Sequence, residues 1–267
     1  LYVAAFCLLF GFGAKAGMFP LHIWLPKAHP VAPAPASALL SGVLTKTGVF
    51  GILVVTGQIL RDDEIWGYTL LALATITMVL GAVIAVFSNN LKRTLACSSL
   101  SQIGFILVGV SMITLLGEEN ALAANGTFLY MLNHSIVKLV LFLCAGAVIY
   151  MYGKTEIKDL DGLGKKMPIT FTCFTVLSLS LIGIPPTGGF YSKWYIATSA
   201  LSADLGALSY IAPIILLISA ILTAAYLLSI SIDAFFGKEE TEREKVREPL
   251  LMIIPIIILT VIAVAGG

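Results

Sequence analysis

The apolar run from Ile169 to Leu201 is long enough to cross a membrane, yet it cannot do so as one straight helix. In its middle stands Gly183-Ile184-Pro185-Pro186-Thr187-Gly188-Gly189-Phe190-Tyr191-Ser192-Lys193. The two prolines remove backbone donors and clash with the preceding turn, and the glycines after them loosen the chain. Two half-helices are expected, with an unwound joint near mid-membrane and Lys193 just beyond it. An ammonium at that depth is costly unless paired or hydrated, which makes Lys193 a candidate functional residue.

The rest of the chain has the same character. Of 267 residues, 58% are hydrophobic and only 12% are charged, about half the share usual in soluble domains. The fold class is therefore an all-α polytopic membrane protein. At roughly 20 apolar residues per crossing, eight spans are expected: Leu1–Leu25, Ala34–Ile59, Trp66–Ser88, Lys92–Leu116, Ala121–Tyr152, Ile169–Leu201, Ser209–Phe236 and Leu250–Gly267. Trp66, Tyr150, Tyr152 and Tyr210 fall near span ends, where amphipathic rings favour the interface. Cys7, Cys97, Cys144 and Cys173 stand singly in apolar runs and read as small buried hydrophobes. No basic cluster suggests nucleic acid. The chain opens on Leu1 within an apolar run, without a basic leader region, and reads as a piece of something longer.

The loops set an expected orientation. Lys92 and Arg93, then Lys154, Lys158, Lys165 and Lys166, then Lys238, Arg243, Lys245 and Arg247 occupy alternate loops. The intervening loops are acidic or poor in lysine and arginine. Lysine and arginine excess marks the cytoplasmic side, which also places the first loop, with Lys27 and His29, inside and both ends of this segment outside. The inner membrane of a prokaryote is the expected location. The mixed-sign run from Lys238 to Glu248 reads as a solvated loop.

The first span repeats the opening theme: Gly11, Gly13 and Gly17 flank Lys15, followed by Met18-Phe19-Pro20 and Trp24-Leu25-Pro26. Two interrupted spans in different halves suggest an internal repeat with ion sites at the broken helices. In the second span Ser37, Ser41 and Thr45 step by four beside Lys46; in the fifth, Tyr130, His134 and Lys138 do the same. Lys15, Lys46, Lys138 and Lys193 thus lie within spans, while the acids are nearly absent there, Asp233 standing close to a span end. Each such lysine costs about 2.5–3.5 kcal/mol on insertion scales. Either the amine gives up its proton inside the membrane, or carboxylates supplied from elsewhere pair with it. Arginine would stay charged, whereas lysine and histidine can exchange a proton.

These stretches resemble a known family, the antiporter-like membrane subunits of respiratory complex I (NADH:quinone oxidoreductase), membrane-bound hydrogenases and Mrp Na⁺/H⁺ antiporters. The resemblance rests on Lys15 through His29, Ala32 through Gly42, Lys92 through Gly104, His134 with Lys138, and Gly183 through Lys193. It implies a fold of about fourteen helices in two inverted repeats, each with one broken helix. This chain would be the second half of that set: residues 1–59 the end of the first repeat, 60–236 the second repeat, and 237–267 a charged loop and last span. Lys15, Lys46, His134, Lys138 and Lys193 would be successive proton-relay stations, Lys15 pairing with a glutamate that this sequence does not carry. The resemblance also implies neighbouring membrane subunits, one of them supplying carboxylates, and leaves flavin and iron–sulfur clusters to partners, since no redox or metal motif occurs in this chain. Drive would come from redox chemistry or from sodium exchange. A scaffold subunit without an ion path and a carrier of organic anions are the rival readings.

Overall fold

The computed structural model describes residues 1–238 and 247–266, and these cross the bundle in eight helical passages. The first consists of α1 (Tyr2–Ala16) and α2 (Trp24–Val31). The second is one rod containing α3 (Ala34–Leu39) and α4 (Thr45–Val54), with π-helical turns at Leu40–Leu44 and Val55–Ile59. Then come α5 (Glu64–Val86), α6 (Leu91–Leu115) and α7 (Ala121–Tyr152). The sixth passage is split into α8 (Pro168–Ile182) and α9 (Gly188–Ser202), and α10 (Leu208–Phe236) and α11 (Leu250–Ala265) follow. The number of passages agrees with the eight apolar runs. Arg243, Lys245 and Gly267, read from sequence as loop charges and a span end, lie outside the described residues.

Both interrupted spans break where glycine and proline predict. Gly17 closes α1 at φ +83°, and Gly183 closes α8 at φ +93°, left-handed conformations that a side chain resists. The two glycines after Pro186, however, do not loosen the chain. Gly188 and Gly189 begin α9, and a Cβ on Gly189 would strike the Ser180 carbonyl. The role of Gly189 is close approach of the two half-helices.

Helix α6 is the axle, buried along nearly its whole length by α2, α5, α7, α9 and α10. Asn90 caps it by accepting the Arg93 N–H at 3.1 Å. Its closest neighbour is α5, where a Cβ on Gly104 would lie 2.5 Å from the Met78 nitrogen. Asp63 caps α5, taking the Trp66 N–H at 2.9 Å and the Tyr2 hydroxyl at 2.6 Å. The Tyr2 hydroxyl, followed by the Trp66 amide, holds that carboxyl below its usual range.

Three placements differ from the sequence reading. Trp66 is not an interfacial anchor: its ring is buried and its Nε1–H donates to Thr56 Oγ1 at 2.9 Å. His29 is not a loop residue: it is fully buried on α2 and stacks on Phe142 with ring centroids 4.5 Å apart. Glu248 is not merely solvated. Its carboxylate accepts the Ile169 and Thr170 N–H groups at 3.0 and 3.1 Å, capping α8 from a distant part of the chain. Free N–H groups at a helix start favour a carboxylate. Replacing Glu248 by alanine is therefore expected to cost about 1 kcal/mol. That loss would show as a lower unfolding midpoint of the purified protein.

Buried apolar side chains form two clusters, separated by depth in the bundle. Along α6, Leu91, Leu95, Ala96 and Cys97 belong to one, and Ile103 through Met112 to the other. Along α7, Ala123 and Tyr130 belong to the second and Val137 through Val148 to the first. On α10 the division falls between Leu216 and Tyr226. A polar layer occupies the space between the two apolar halves, and the candidate site lies there.

Candidate functional site

Lys193 turns inward. Its Nζ donates to the carbonyls of Leu181 and Ile182 at 2.7 and 3.2 Å, across the joint that the prolines create. These are among the last carbonyls of α8, which have no donor within their own helix. The ammonium also stands 4.8 Å from the Phe105 ring centroid and 5.4 Å from that of Tyr130. A broken helix thus exposes carbonyls inside the membrane, and a lysine from the following half-helix occupies them.

Lys138 is fully buried on α7. Its Nζ donates to the Leu95 carbonyl at 3.0 Å and makes a short hydrogen bond to Ser98 Oγ. Lys46 makes a short hydrogen bond to the Ser41 carbonyl, which also accepts Thr45 Oγ1 at 3.0 Å. Ser41 sits in a π-helical turn, where the backbone bonding steps out of register and carbonyls become available to side chains. None of these three lysines meets a carboxylate among the described residues.

Hydroxyls surround the lysines: Ser41 and Tyr130 stand out in the sequence at helical spacing beside Lys46 and Lys138, whereas Ser98, Ser99, Thr223 and Tyr226 have no role assigned there. Ser41 Oγ and Ser99 Oγ are 2.7 Å apart, and Ser99 Oγ donates at 3.0 Å to the same Leu95 carbonyl that holds Lys138. On the other side of Lys138, Ser98 Oγ donates to the Leu95 carbonyl at 2.9 Å. Tyr226 donates to Thr223 Oγ1 at 3.3 Å, and Gln102 Nε2 donates to that oxygen at 3.3 Å. Gln102 Oε1 accepts a short bond from the Tyr130 hydroxyl, and the Tyr130 ring faces Lys193. Two runs of contacts result: one joins Lys46, Ser41, Ser99, Leu95, Lys138 and Ser98, and the other joins Tyr226, Thr223, Gln102, Tyr130 and Lys193.

A signal for these residues exists in the sequence. Ser98 through Gln102 read there as a polar start to a span, and Ser219, Thr223 and Tyr226 share one face of α10 at helical spacing. Ser219 Oγ meets Ser101 Oγ at 2.8 Å, so that face does pack on α6.

His134 is brought to the layer but stands apart from the hydrogen-bonded chain. It is fully buried, stacks on Tyr130 with centroids 6.0 Å apart, and neither ring nitrogen has a partner among the described residues. The same holds for both nitrogens of His29. Lys15 is not part of the cluster. It is exposed on α1, and no hydrogen bond links it to the other lysines among the described residues.

Eight membrane passages, two of them broken, with lysines seated on freed carbonyls in a polar mid-layer, define an antiporter-like membrane subunit. The chain belongs to the NADH:quinone oxidoreductase/Mrp antiporter transmembrane family, whose profile matches residues 1–223. It is 42% identical over 194 residues to hydrogenase-4 component B of Escherichia coli (strain K12), covering 70% of this chain and 29% of that protein. It is 36% identical over 267 residues to a subunit of the Na(+)/H(+) antiporter of Alkalihalophilus pseudofirmus, covering 98% of this chain and 52% of that protein. The structure superposes on a chain of the Mrp complex from Dietzia sp. DQ12-45-1b with TM-score 0.87 at 28% identity, covering 99% of this chain and 56% of that one. The chain thus spans about half the length, or less, of the relatives it matches.

Proposed function

We propose that this chain moves protons across the membrane by relay among Lys46, Lys138, His134 and Lys193, as part of a larger ion-translocating complex. The observation that carries this reading is the burial of Lys46, Lys138 and Lys193 in one polar layer, each bonded to neutral oxygens in an otherwise apolar interior. Lysines paired to neutral oxygens, not to carboxylates, can alternate between ammonium and amine with little rearrangement. The Leu95 carbonyl and the Gln102 amide hold their neighbours in place but do not hand protons on. His134, beside Tyr130, supplies a group that can accept on one nitrogen and donate from the other.

Lys15 belongs to the same relay in this proposal, with its counter-charge supplied by a carboxylate on another segment or subunit packed on the exposed face of α1. Lysine-rich loops face the cytoplasm of a prokaryotic inner membrane. Drive comes either from redox partners that hold flavin and iron–sulfur clusters or from sodium exchange. The two are separated by purifying the native complex and recording its visible absorbance and iron content. Flavin or iron–sulfur signals make this a redox-driven module; their absence, with proton movement dependent on sodium, makes it a secondary antiporter subunit. Lys193→Ala is the test of the relay itself. Proton movement is expected to stop in the assembled complex, whereas a scaffold subunit would leave it at the parent rate.

A further inference from the structure

A cavity of about 170 Å³ lies at the end of the bundle opposite the lysine-rich loops, where the second passage turns into α5 and α6 turns into α7. Thr56, Arg61, Asp62, Thr114 and Asn120 line it. Thr56 stands in the π-helical turn Val55–Ile59 and Thr114 in the last turn of α6. Both are buried, and Thr114 Oγ1 has no hydrogen-bond partner among the described residues. A buried hydroxyl left in that state is costly unless something in the cavity meets it. The neighbouring groups have spent their donors and kept acceptors. Thr56 gives its hydroxyl proton to the Ile52 carbonyl at 2.9 Å, while its oxygen takes the Trp66 Nε1–H at 2.9 Å. The Asn120 amide donates to the Gly117 and Ile113 carbonyls at 2.6 and 3.3 Å, which leaves Oδ1 as an acceptor. Asp62 reaches over from the other loop: a Cβ on Gly117 would lie 3.7 Å from its Oδ1.

We propose that this cavity binds a hard monovalent cation of sodium's size, through the Asp62 carboxylate and the side-chain oxygens of Thr56, Thr114 and Asn120. Acceptor oxygens outnumber free donors there, which selects a hard cation over an anion. A single carboxylate among neutral oxygens is too little for a divalent ion, which gathers several. Arg61 does not cancel the site. Its Nε stands 3.7 Å from Asp62 Oδ2 and both side chains are more than half exposed, so the pair is weak and the guanidinium can swing into water. The two loops that frame the mouth carry Asp62, Asp63, Glu64, Glu118 and Glu119 against Arg61, an excess that draws cations to the opening. None of Lys46, Lys138 and Lys193 lines this cavity, so the site stands or falls apart from the relay.

The test is a calorimetric titration of the purified complex with sodium chloride, choline chloride holding the ionic strength constant. Thr114→Val removes one oxygen at nearly equal volume and is expected to weaken sodium binding roughly tenfold, the scale of one buried polar contact. Thr114→Ser keeps the hydroxyl and should bind as the parent does. Asp62→Asn is expected to weaken binding at least as much, and asparagine tolerates the left-handed turn at φ +59° that Asp62 adopts. Should Thr114→Val fail to assemble, Asp62→Asn carries the same decision from an exposed loop. Glu118→Gln removes an equal charge outside the cavity lining and should leave the affinity where it was, while Arg61→Ala should tighten binding. Absence of sodium binding above the choline baseline overturns the site. So does an isotherm unchanged in both Thr114→Val and Asp62→Asn, an equal loss in Glu118→Gln, which marks diffuse surface charge, or a loss in Arg61→Ala, which marks an anion. Lys193→Ala is expected to stop proton movement and keep the sodium isotherm, so failure of the relay and failure of this site are read separately.

Discussion

Lys138→Met is expected to leave the complex assembled and reduce proton translocation by about two orders of magnitude or more, the scale of removing a positioned proton-transfer group. Lys138 is fully buried, and its ammonium is met by one carbonyl and one hydroxyl, with no carboxylate among the described residues. Such a site is not there to stabilise the bundle: replacing a buried charge by an apolar side chain of similar volume is often neutral or stabilising. Methionine fills that volume without a titrating group. Lys138→Arg should fail as well, because guanidinium does not release its proton and its fork does not fit the pair formed by Leu95 and Ser98. Proton flux and sedimentation of the purified complex check the two halves of this expectation. Normal assembly with normal flux in Lys138→Met would remove Lys138 from the path.

Gly189→Ala is expected to lose about 2–3 kcal/mol or more, the range of a steric clash in a packed core that cannot relax easily. The added methyl would meet the Ser180 carbonyl, which is backbone and cannot swing away as a side-chain tip can. Either α9 moves off α8 or the joint opens, and in both cases Lys193 loses the Leu181 and Ile182 carbonyls that hold it. Function should therefore fall together with stability. Gly11→Ala is the matched control: nothing lies within 4 Å of the added carbon, so its effect should stay within about 0.5 kcal/mol. Thermal unfolding of the two variants, measured side by side, decides the point. Equal midpoints would mean that the glycine serves a local turn and not a crossing.

Much of the molecule is legible without the fold. Eight apolar runs become eight passages because burial in lipid demands helices that satisfy their own backbone groups, and length alone then sets the number. The breaks at Gly17 and Gly183 are legible because a left-handed residue and a missing proline donor act locally. Lys46, His134, Lys138 and Lys193 are legible because polar groups at that depth are expensive wherever they occur.

What is not legible depends on neighbours far away in sequence. Glu248 looks like one charge in a mixed loop and proves to be the cap of a helix that begins at Pro168. Trp66 has the position of an interfacial ring, yet a partner at Thr56 draws it inside. Tyr226 and Thr223 have only an ordinary helical spacing, and only the packing of α10 on α6 turns them, with Gln102, into a hydrogen-bonded run that reaches Tyr130 beside Lys193. Lys15 shares the motif of Lys193, but its side of α1 stays open while Lys193 is folded over a joint. How many times the chain crosses, where it breaks and which charges enter the membrane all follow from local hydropathy and backbone chemistry, and these are written in the order of residues. Which of those charges share one polar layer is settled by the packing, because hydrogen bonds between helices depend on which faces meet.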